Sequence, residues 1–384
     1  MKLKQTVDDF CVEEISDIKI SQEKDAYKVY LLEKKSIDII YLLSYLSKKY
    51  TVPRSAFGIA GLKDKHASTK QYVTVSSKYD LTVQAEKNFS FVCIGYTNKP
   101  LRIGDLLANR FKIIVRDLKT SDLETIQQKA KMLSFVGVPN YFDSQRFGSA
   151  VHGQFIAKQL IRGDYEAAVK IYLTTYSKSE HKNVKAEKRK ILEAWRNLDK
   201  IQIQNNRFNR IIKAYLTTGS WLHAYKQIPY NLRELFVSAY QSYIWNECIK
   251  ELLRQVLGKD KLCVVKYSVG ELLYFKNITP DDSSKLPKTF KLISPVMHCS
   301  DTEHTIRDKI LAREGLVLEA FDIKQRTDTF FKEYDRSVLL MPHNVVLENS
   351  TKDELNNKAY KMTISFELPK GCYATVVTKA LFGR

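Results

Sequence analysis

Residues 57–75 read FGIAGLKDKHASTKQYVTV, and the expected fold depends on this stretch more than on any other. Small and apolar residues come first, and a single acid, Asp64, then stands between Lys63 and Lys65. The β-branched and aromatic residues at 72–75 are typical of a strand. The sequence therefore predicts that Asp64 lies on a loop between two apolar segments, where a rigid scaffold commonly presents functional side chains.

The two lysines beside Asp64 suggest what its carboxylate does. An opposite charge within a few ångströms lowers the pKa of an acid, so Lys63 and Lys65 are expected to keep Asp64 ionised. A carboxylate held in this form can act as a nucleophile or stabilise positive charge that develops during a reaction. The alternative reading of the triplet is a solvated turn with alternating surface charge.

Length and charge limit the class of protein. At 384 residues the chain is expected to form two domains, and it contains no apolar run long enough to span a membrane. No apolar core follows its first six residues, which argues against a secretory signal. The formal charge of +19 favours a polyanionic partner, with nucleic acid ahead of an acidic membrane.

Cysteine spacing and motif content argue against a metal or cofactor. The six cysteines are scattered without a C-x-x-C pair, which is typical of reduced thiols in a cytoplasmic protein. The nearest metal-like cluster is His298-Cys299 with His304, whose ligand spacing is poor. There is no P-loop and no dinucleotide fingerprint. We therefore expect no metal and no cofactor.

A group of acids near the N-terminus offers a rival interpretation. Asp8, Asp9 and Glu13 could supply the ligands of a metal-dependent RNA hydrolase. Their alternation with apolar residues, however, fits a strand with one wet face better.

A second informative stretch, residues 138–148, reads VPNYFDSQRFG. It follows a helix predicted from a capping box at Ser121 and a stop at Gly137. An amide, aromatic rings and a guanidinium share this loop, and these groups hydrogen-bond and stack on a base taken out of its helix. The alternative is a buried aromatic turn in which Arg146 has a structural partner.

Other basic residues are candidates for contacts with an RNA backbone. Arg116 belongs to the predicted strand 109–116, where a phosphate contact and a surface strand charge are both open interpretations. The basic run over 182–213 is either a solvated face or a surface that follows phosphates. The candidates for contacts with the RNA backbone are Lys63, Lys65, Arg116, Arg146, Lys188 and Arg189.

The two stretches together resemble the tRNA pseudouridine synthase D (TruD) family. The run GLKDKHAxTxQ is similar to its catalytic loop, and NYFxxQRFG and LPKGCYATV (368–376) are similar to two further signatures. The N-terminal segment also resembles a family block, although Val7-Asp8 stands where Pro-Glu is usual. The resemblance covers blocks along nearly the whole chain and is weak through 151–230 and 259–325.

The resemblance implies a role for each matching residue. Asp64 would be the catalytic nucleophile, and Lys4 would lie near it. Phe10, Asn140 and Tyr373 would contact the target nucleotide, with Tyr373 adding a hydroxyl where the family has Phe. Phe142 would pack where other pseudouridine synthases use a Tyr.

The order of strands and helices predicts an α+β fold, and the resemblance identifies its catalytic part as the pseudouridine synthase core, a mixed and mainly antiparallel sheet with helices. The catalytic domain is expected over 1–150 and 326–384. An inserted α+β TruD-type domain with a basic RNA-binding surface is expected over 151–325. The implied function is isomerisation of uridine to pseudouridine in tRNA, at position 13, by a cytoplasmic enzyme acting as a monomer. The alternative is a non-catalytic RNA-binding or RNA-chaperone protein.

Overall fold

A computed structural model describes residues 1–81, 85–178 and 180–383. These residues form two compact units, the first comprising Met1–Val138 with Leu340–Gly383 and the second Pro139–Leu339. The second unit contains all of the expected insertion, 151–325. It also contains 139–150 and 326–339, which were expected in the catalytic domain; the Asn140 N–H donates to the Val338 carbonyl oxygen at 2.8 Å within that unit.

The first unit is built around a sheet, and both ends of the chain contribute to it. Its amino-terminal elements are β1 (Phe10–Ile15), β2 (Tyr27–Lys35), α1 (Ile39–Lys49), β3 (Phe57–Ile59), β4 (Ser68–Ser76), β5 (Ala85–Glu86), β6 (Phe89–Thr97), β7 (Ala108–Leu118) and α2 (Thr120–Val136).

The chain passes into the second unit through β8 (Val138–Pro139) and returns through β13 (Leu339–Leu340). Between them lie α3 (Ile156–Ile161), α4 (Tyr165–Thr174), α5 (Lys182–Glu193), α6 (Asn206–Thr218), α7 (Trp221–Lys226), α8 (Tyr230–Leu257), β9 (Leu262–Tyr267), β10 (Gly270–Phe275), α9 (Pro280–Ser284), β11 (Thr289–Lys291), α10 (Asp301–Glu314), α11 (Lys324–Thr327) and β12 (Asp335–Ser337). The carboxy-terminal elements of the first unit are β14 (His343–Leu347), β15 (Thr351–Lys352), β16 (Tyr360–Pro369) and α12 (Ala374–Phe382).

The large sheet contains ten of the described strands. Its main order is β14-β16-β7-β1-β4-β2-β6-β5, with β15 on β16 and β3 on β4. The pairing of β1 with β4 is parallel, and the other pairings in this sheet are antiparallel. The expected α+β fold with a mixed, mainly antiparallel sheet is therefore confirmed.

Helix α1 covers one face of this sheet because its apolar residues recur at helical spacing. Leu42, Leu43 and Leu46 are buried against Tyr30 and Leu32 of β2. Asp38 begins the helix as an N-cap, accepting the N–H groups of two first-turn residues. No helix in the described ranges has the length and apolar character that crossing a bilayer requires.

The two ends of α2 follow different signals. The helix begins at Thr120 after Lys119, so the capping box expected at Ser121 is wrong: Ser121 lies inside the first turn. It ends at Gly137 as predicted, with a φ of 68° that favours glycine. A Cβ on Gly137 would lie 2.8 Å from the Leu340 carbonyl oxygen, so the close approach of the two chain segments also requires glycine here.

The single parallel pairing in the sheet positions the loop of Asp64. Cys11 of β1 is paired with Ser68 of β4, so the two strands start side by side and run in the same direction. The segments that precede two parallel strands lie at the same edge of a sheet. The loop containing Asp64 therefore lies next to the segment that enters β1 at Phe10.

Candidate active site

Three groups surround Asp64 and fix its position. Its Oδ2 accepts a hydrogen bond from Lys4 Nζ, and its Oδ1 accepts the His66 backbone N–H at 2.8 Å. The Asp64 main-chain oxygen accepts Lys34 Nζ at 2.9 Å. The Asp64 side chain keeps 25% of its surface exposed. The carboxylate is therefore immobilised but open to a substrate.

Lys4 joins the carboxylate to an aromatic ring. Its Nζ lies 4.1 Å from the centroid of the Phe10 ring, close enough for a cation–π interaction. Lys4 adopts a φ of 55°, in the left-handed region that non-glycine residues rarely occupy and that often occurs at functional sites. The structure thus brings together three residues that the sequence marked separately: Lys4, Phe10 and Asp64.

Lys4 also determines the charge state of the acid. Burial alone would raise the pKa of Asp64, but hydrogen bonds from Lys4 and the His66 N–H outweigh this effect and hold the pKa below its ordinary value. The expected depression is therefore present, but the expected cause is wrong. Lys63 makes an ion pair elsewhere, and Lys65 is an exposed side chain.

The ion pair between Lys4 and Asp64 leads to a pH-dependent prediction. A reaction that needs the Asp64 carboxylate loses rate as pH falls through the Asp64 pKa. In Lys4→Met, the hydrogen bond from the His66 N–H remains but the larger lowering effect of Lys4 is lost, so the pKa of Asp64 rises and the acid limb of kcat/KM should move to higher pH. The charged hydrogen bond is also lost, so kcat/KM at pH 7.5 should fall by about tenfold or more. Lys65→Met is the matched control: loss of its proposed RNA contact lowers kcat/KM at every pH but should leave the position of the acid limb unchanged. An equal shift of the acid limb in Lys65→Met would contradict the assignment.

The neighbouring Lys63 is a structural residue rather than a contact for an RNA backbone. Its Nζ lies 2.5 Å from Glu14 Oε2, and the exposed fractions of the two side chains are 4% and 0%. The other carboxylate oxygen of Glu14 accepts the Tyr72 N–H. This buried pair ties the start of the Asp64 loop to β1, so the predicted phosphate contact of Lys63 is wrong.

Arg116 is likewise buried, contrary to both of its sequence interpretations. Its Nε donates to Asp9 and its Nη1 to Asp353, each at 2.9 Å, and the residue is only 4% exposed. The Arg116 backbone also pairs with Lys2. The guanidinium therefore holds the amino-terminal segment, with Lys4, to the carboxy-terminal part of the same unit.

Asp353, which accepts a hydrogen bond from Arg116, makes the free energy of unfolding depend on pH. Burial alone would raise the pKa of Asp353, but the Asp117 N–H, Asn356 and Arg116 among its donors lower it to about 2. Because the folded pKa is depressed, the contribution to stability is complete above about pH 4 and is lost as pH falls towards 2. We expect Asp353→Asn to lower the free energy of unfolding at pH 7 by about 2 kcal/mol, with the difference from wild type narrowing in acid denaturant titrations. A difference independent of pH would contradict this account.

The acids of the rival hydrolase interpretation are each paired with a cation. Asp8 lies 2.7 Å from Lys35, Asp9 contacts Arg116, and Glu13 lies 3.0 Å from Arg110. Only Glu13 lies on strand β1 as expected, because Asp8 and Asp9 belong to a short 3-10 turn, Val7–Asp9, that precedes it. The cluster of His298, Cys299 and His304 also contacts a cation, because the Arg307 guanidinium lies 2.6 Å from His304 Nδ1 and 3.8 Å from Cys299 Sγ.

The second motif forms a buried cluster within the second unit. Arg336 Nη2 donates to Asn140 Oδ1, and Arg336 Nε donates to the Asn140 carbonyl oxygen, each at 2.9 Å. Asn140 Nδ2 in turn donates to the Ser337 carbonyl oxygen at 3.1 Å. These bonds occupy the side-chain oxygen of Asn140 and one of its two Nδ2 hydrogens. The nucleoside contact expected of Asn140 stays a prediction, and it depends on the second N–H of Nδ2.

Phe142 is the packing residue of the same cluster. It is 1% exposed, with the Arg336 guanidinium 4.0 Å from its ring centroid and Trp245 packed edge-on at 5.7 Å. Arg146 lies 5.4 Å from the same ring and donates to Ser238 at 3.4 Å. The structural alternative for this stretch, a buried aromatic turn, is therefore what the second unit contains.

The other predicted site residues lie in varied surroundings. Tyr373 is half-buried at the N-cap of α12 in the first unit. Lys188 is buried and donates to the Thr175 carbonyl oxygen, so its predicted phosphate contact is wrong. Lys65 and Arg189 are exposed, and their predicted RNA contacts stay predictions.

Sequence reasoning missed Lys34, Glu14 and Arg336. Each acts through a partner distant in sequence; 196 residues separate Arg336 from Asn140. Lys34 carried no local signal, because it stands between Glu33 and Lys35 in the sequence, yet it is only 1% exposed.

Comparisons with known proteins agree with this fold and these motifs. The family model described as tRNA pseudouridine synthase D (TruD) matches residues 1–381. The chain is 38% identical to the Methanococcus maripaludis protein named "Probable tRNA pseudouridine synthase D 1" and 40% identical to the Methanocaldococcus jannaschii protein named "Probable tRNA pseudouridine synthase D 2". Both alignments include 100% of this chain, with 99% and 92% of the respective relatives.

A solved structure shows the same fold. The crystal structure of a candidate tRNA pseudouridine synthase D from Methanosarcina mazei matches with a TM-score of 0.74 at 24% identity, over 100% of this chain and 93% of the other. The sheet and the Asp64 loop thus belong to an α+β fold already known from a solved structure. The chain belongs to the tRNA pseudouridine synthase D family.

Proposed function

We propose that this protein isomerises uridine to pseudouridine in tRNA, at position 13, with Asp64 as the nucleophile and without a cofactor. One observation carries the proposal: in a chain of this family, the Asp64 carboxylate is held ionised by Lys4 on a loop beside Phe10. The proteins to which the chain is similar are named as tRNA pseudouridine synthases.

The reaction exchanges one bond of the target uridine for another. The bond from the ribose C1′ to N1 of uracil breaks, and a bond from C1′ to C5 forms. Asp64 either attacks C1′, giving a covalent intermediate, or removes the C2′ proton, giving a glycal. The freed uracil turns over and its C5 bonds to C1′, a step that breaks the Asp64–C1′ bond of the covalent intermediate or returns the proton to C2′ of the glycal. The proton from C5 is released and N1 gains one, so the product is an isomer of the substrate.

The candidate site residues of the first unit have distinct roles in this reaction. The target base must leave its stack, which costs a few kcal/mol that contacts in the pocket offset. Phe10 is 4% exposed and packs against Lys4, which keeps the Asp64 carboxylate charged until it reacts. We propose base contacts for Phe10 and Tyr373, and backbone contacts for Lys65.

Tritium release tests this function. Transcripts of tRNA made with uridine tritiated at C5 should release label to water on incubation with the protein, because pseudouridine formation replaces the C5–H bond. A transcript with cytidine at position 13 is the matched control and should release none. Release from both transcripts would contradict the choice of position 13, and release from neither, although the tRNA binds, would contradict the isomerase.

A further inference from the structure

A cavity of about 450 Å³ lies among α4, α5 and the turn at 151–153 in the second unit. Its lining includes Lys170, Thr174, Tyr176, His152, Gln154 and Leu192. The volume is in the range of small-ligand pockets and is adequate for one nucleotide. None of the described residues that line the cavity is acidic, so its walls suit an anionic ligand.

Two residues that line the cavity, Tyr176 and Lys170, each take part in a cation–ring contact. The Arg189 guanidinium lies 5.3 Å from the Tyr176 ring centroid, and its Nε donates to Tyr176 Oη at 2.8 Å. Lys170 Nζ lies 5.4 Å from the Trp195 ring. Each cation is thus positioned before any ligand arrives, which reduces the cost of ordering it on binding.

The ring under Lys170 is itself fixed. Trp195 Nε1 donates to Glu166 at 2.8 Å, and its indole stacks on Trp221 with a centroid distance of 5.2 Å and an interplanar angle of 8°. Trp221 stacks on Tyr215 at 3.6 Å. The stack forms a rigid wall behind Lys170, in a segment where basic residues far outnumber acidic ones over 182–213.

We infer that this cavity binds an unpaired nucleotide of the RNA substrate, with the base on Tyr176 and the phosphate on Arg189 and Lys170. Any nucleobase can stack on an aromatic ring, and two positioned cations can form ion pairs with a phosphate group. His152 and Gln154 supply polar groups for the base edge. The inference rests on the proposed function for its RNA, and it assigns a second RNA contact site to the second unit.

Affinity for tRNA, measured by filter binding at one salt concentration, tests the site. Tyr176→Ala should weaken binding by about tenfold, because base stacking is lost. Arg189→Glu should weaken it by about tenfold or more, and Lys200→Glu is the control. Lys200 is exposed in the same basic segment and undergoes the same charge change, so Lys200→Glu reports the non-specific electrostatic loss. Thermal unfolding of each variant checks that it is folded.

The outcomes separate this inference from the proposed function. A larger loss for Tyr176→Ala and Arg189→Glu than for Lys200→Glu supports the site. If the wild-type protein binds and modifies tRNA, and all three variants bind tRNA with the same affinity, the proposed site is wrong but the proposed function stands. Wild-type protein that binds no tRNA overturns both. Uridine monophosphate binding that depends on Tyr176, with unchanged tRNA affinity in Tyr176→Ala, assigns the cavity to a free nucleotide and overturns the RNA assignment.

Discussion

Asp64→Asn should reduce kcat for pseudouridine formation by at least about a thousandfold, while the Kd for tRNA changes by less than about threefold. The amide has nearly the shape of the carboxylate, although its single oxygen can accept from only one of Lys4 and the His66 N–H. It carries no negative charge and can neither attack C1′ nor remove the C2′ proton effectively. The measurement is single-turnover tritium release with saturating protein, which separates chemistry from binding.

Asp8→Asn is the matched control for this prediction. Asp8 is an exposed acid near the start of β1, paired with Lys35 at the surface, and its replacement should leave turnover close to wild type. Turnover in Asp64→Asn comparable to that of Asp8→Asn would show that Asp64 is not the nucleophile. Equal thermal unfolding of the two variants excludes misfolding as the cause of a loss.

Glu14→Gln should have the largest effect on stability, lowering the free energy of unfolding by about 3–5 kcal/mol. The substitution leaves the Lys63 ammonium buried without its counter-charge, and Lys63 has an exposed side-chain fraction of only 4%. Urea denaturation monitored by tryptophan fluorescence measures the change. The double variant Glu14→Leu with Lys63→Met should recover much of the loss, because no charge is then buried alone.

The adjacent residue supplies the control for Glu14. Glu13 pairs with Arg110, and the side chains are 41% and 54% exposed, so Glu13→Gln should cost less than about 1 kcal/mol. The two substitutions make the same chemical change one residue apart on β1, but on opposite faces of the sheet. Equal losses in Glu13→Gln and Glu14→Gln would contradict the view that burial of the Glu14 pair matters.

Sequence predicted those parts of the fold that depend on local pattern. The strands predicted at 72–75 and 109–116 lie within β4 and β7, and the helix stop at Gly137 follows from the positive φ that glycine favours. Asp64 was assigned a role because its loop resembles the catalytic loop of the family. Each of these signals lies within a short stretch of chain.

Partners distant in sequence could not be predicted in this way. The residue that keeps the Asp64 carboxylate ionised is Lys4, sixty residues away, and not the lysines beside it. The parallel pairing of β1 and β4 brings the segment of Lys4 next to the loop of Asp64. Arg116 and Lys188 look like surface charges in the sequence, yet both are buried with acceptors supplied by other elements. A charge pattern alone does not distinguish a residue that contacts RNA from one that holds two segments together.

The most direct test of the central claim maps pseudouridine in an unmodified tRNA transcript after incubation with the protein in EDTA. Carbodiimide modification blocks primer extension at each pseudouridine, and the Asp64→Asn reaction is run beside wild type. The account predicts one new stop, at uridine 13, with wild type and none with the variant. Shortened RNA, a stop that persists in Asp64→Asn, or tRNA binding without any stop would contradict it.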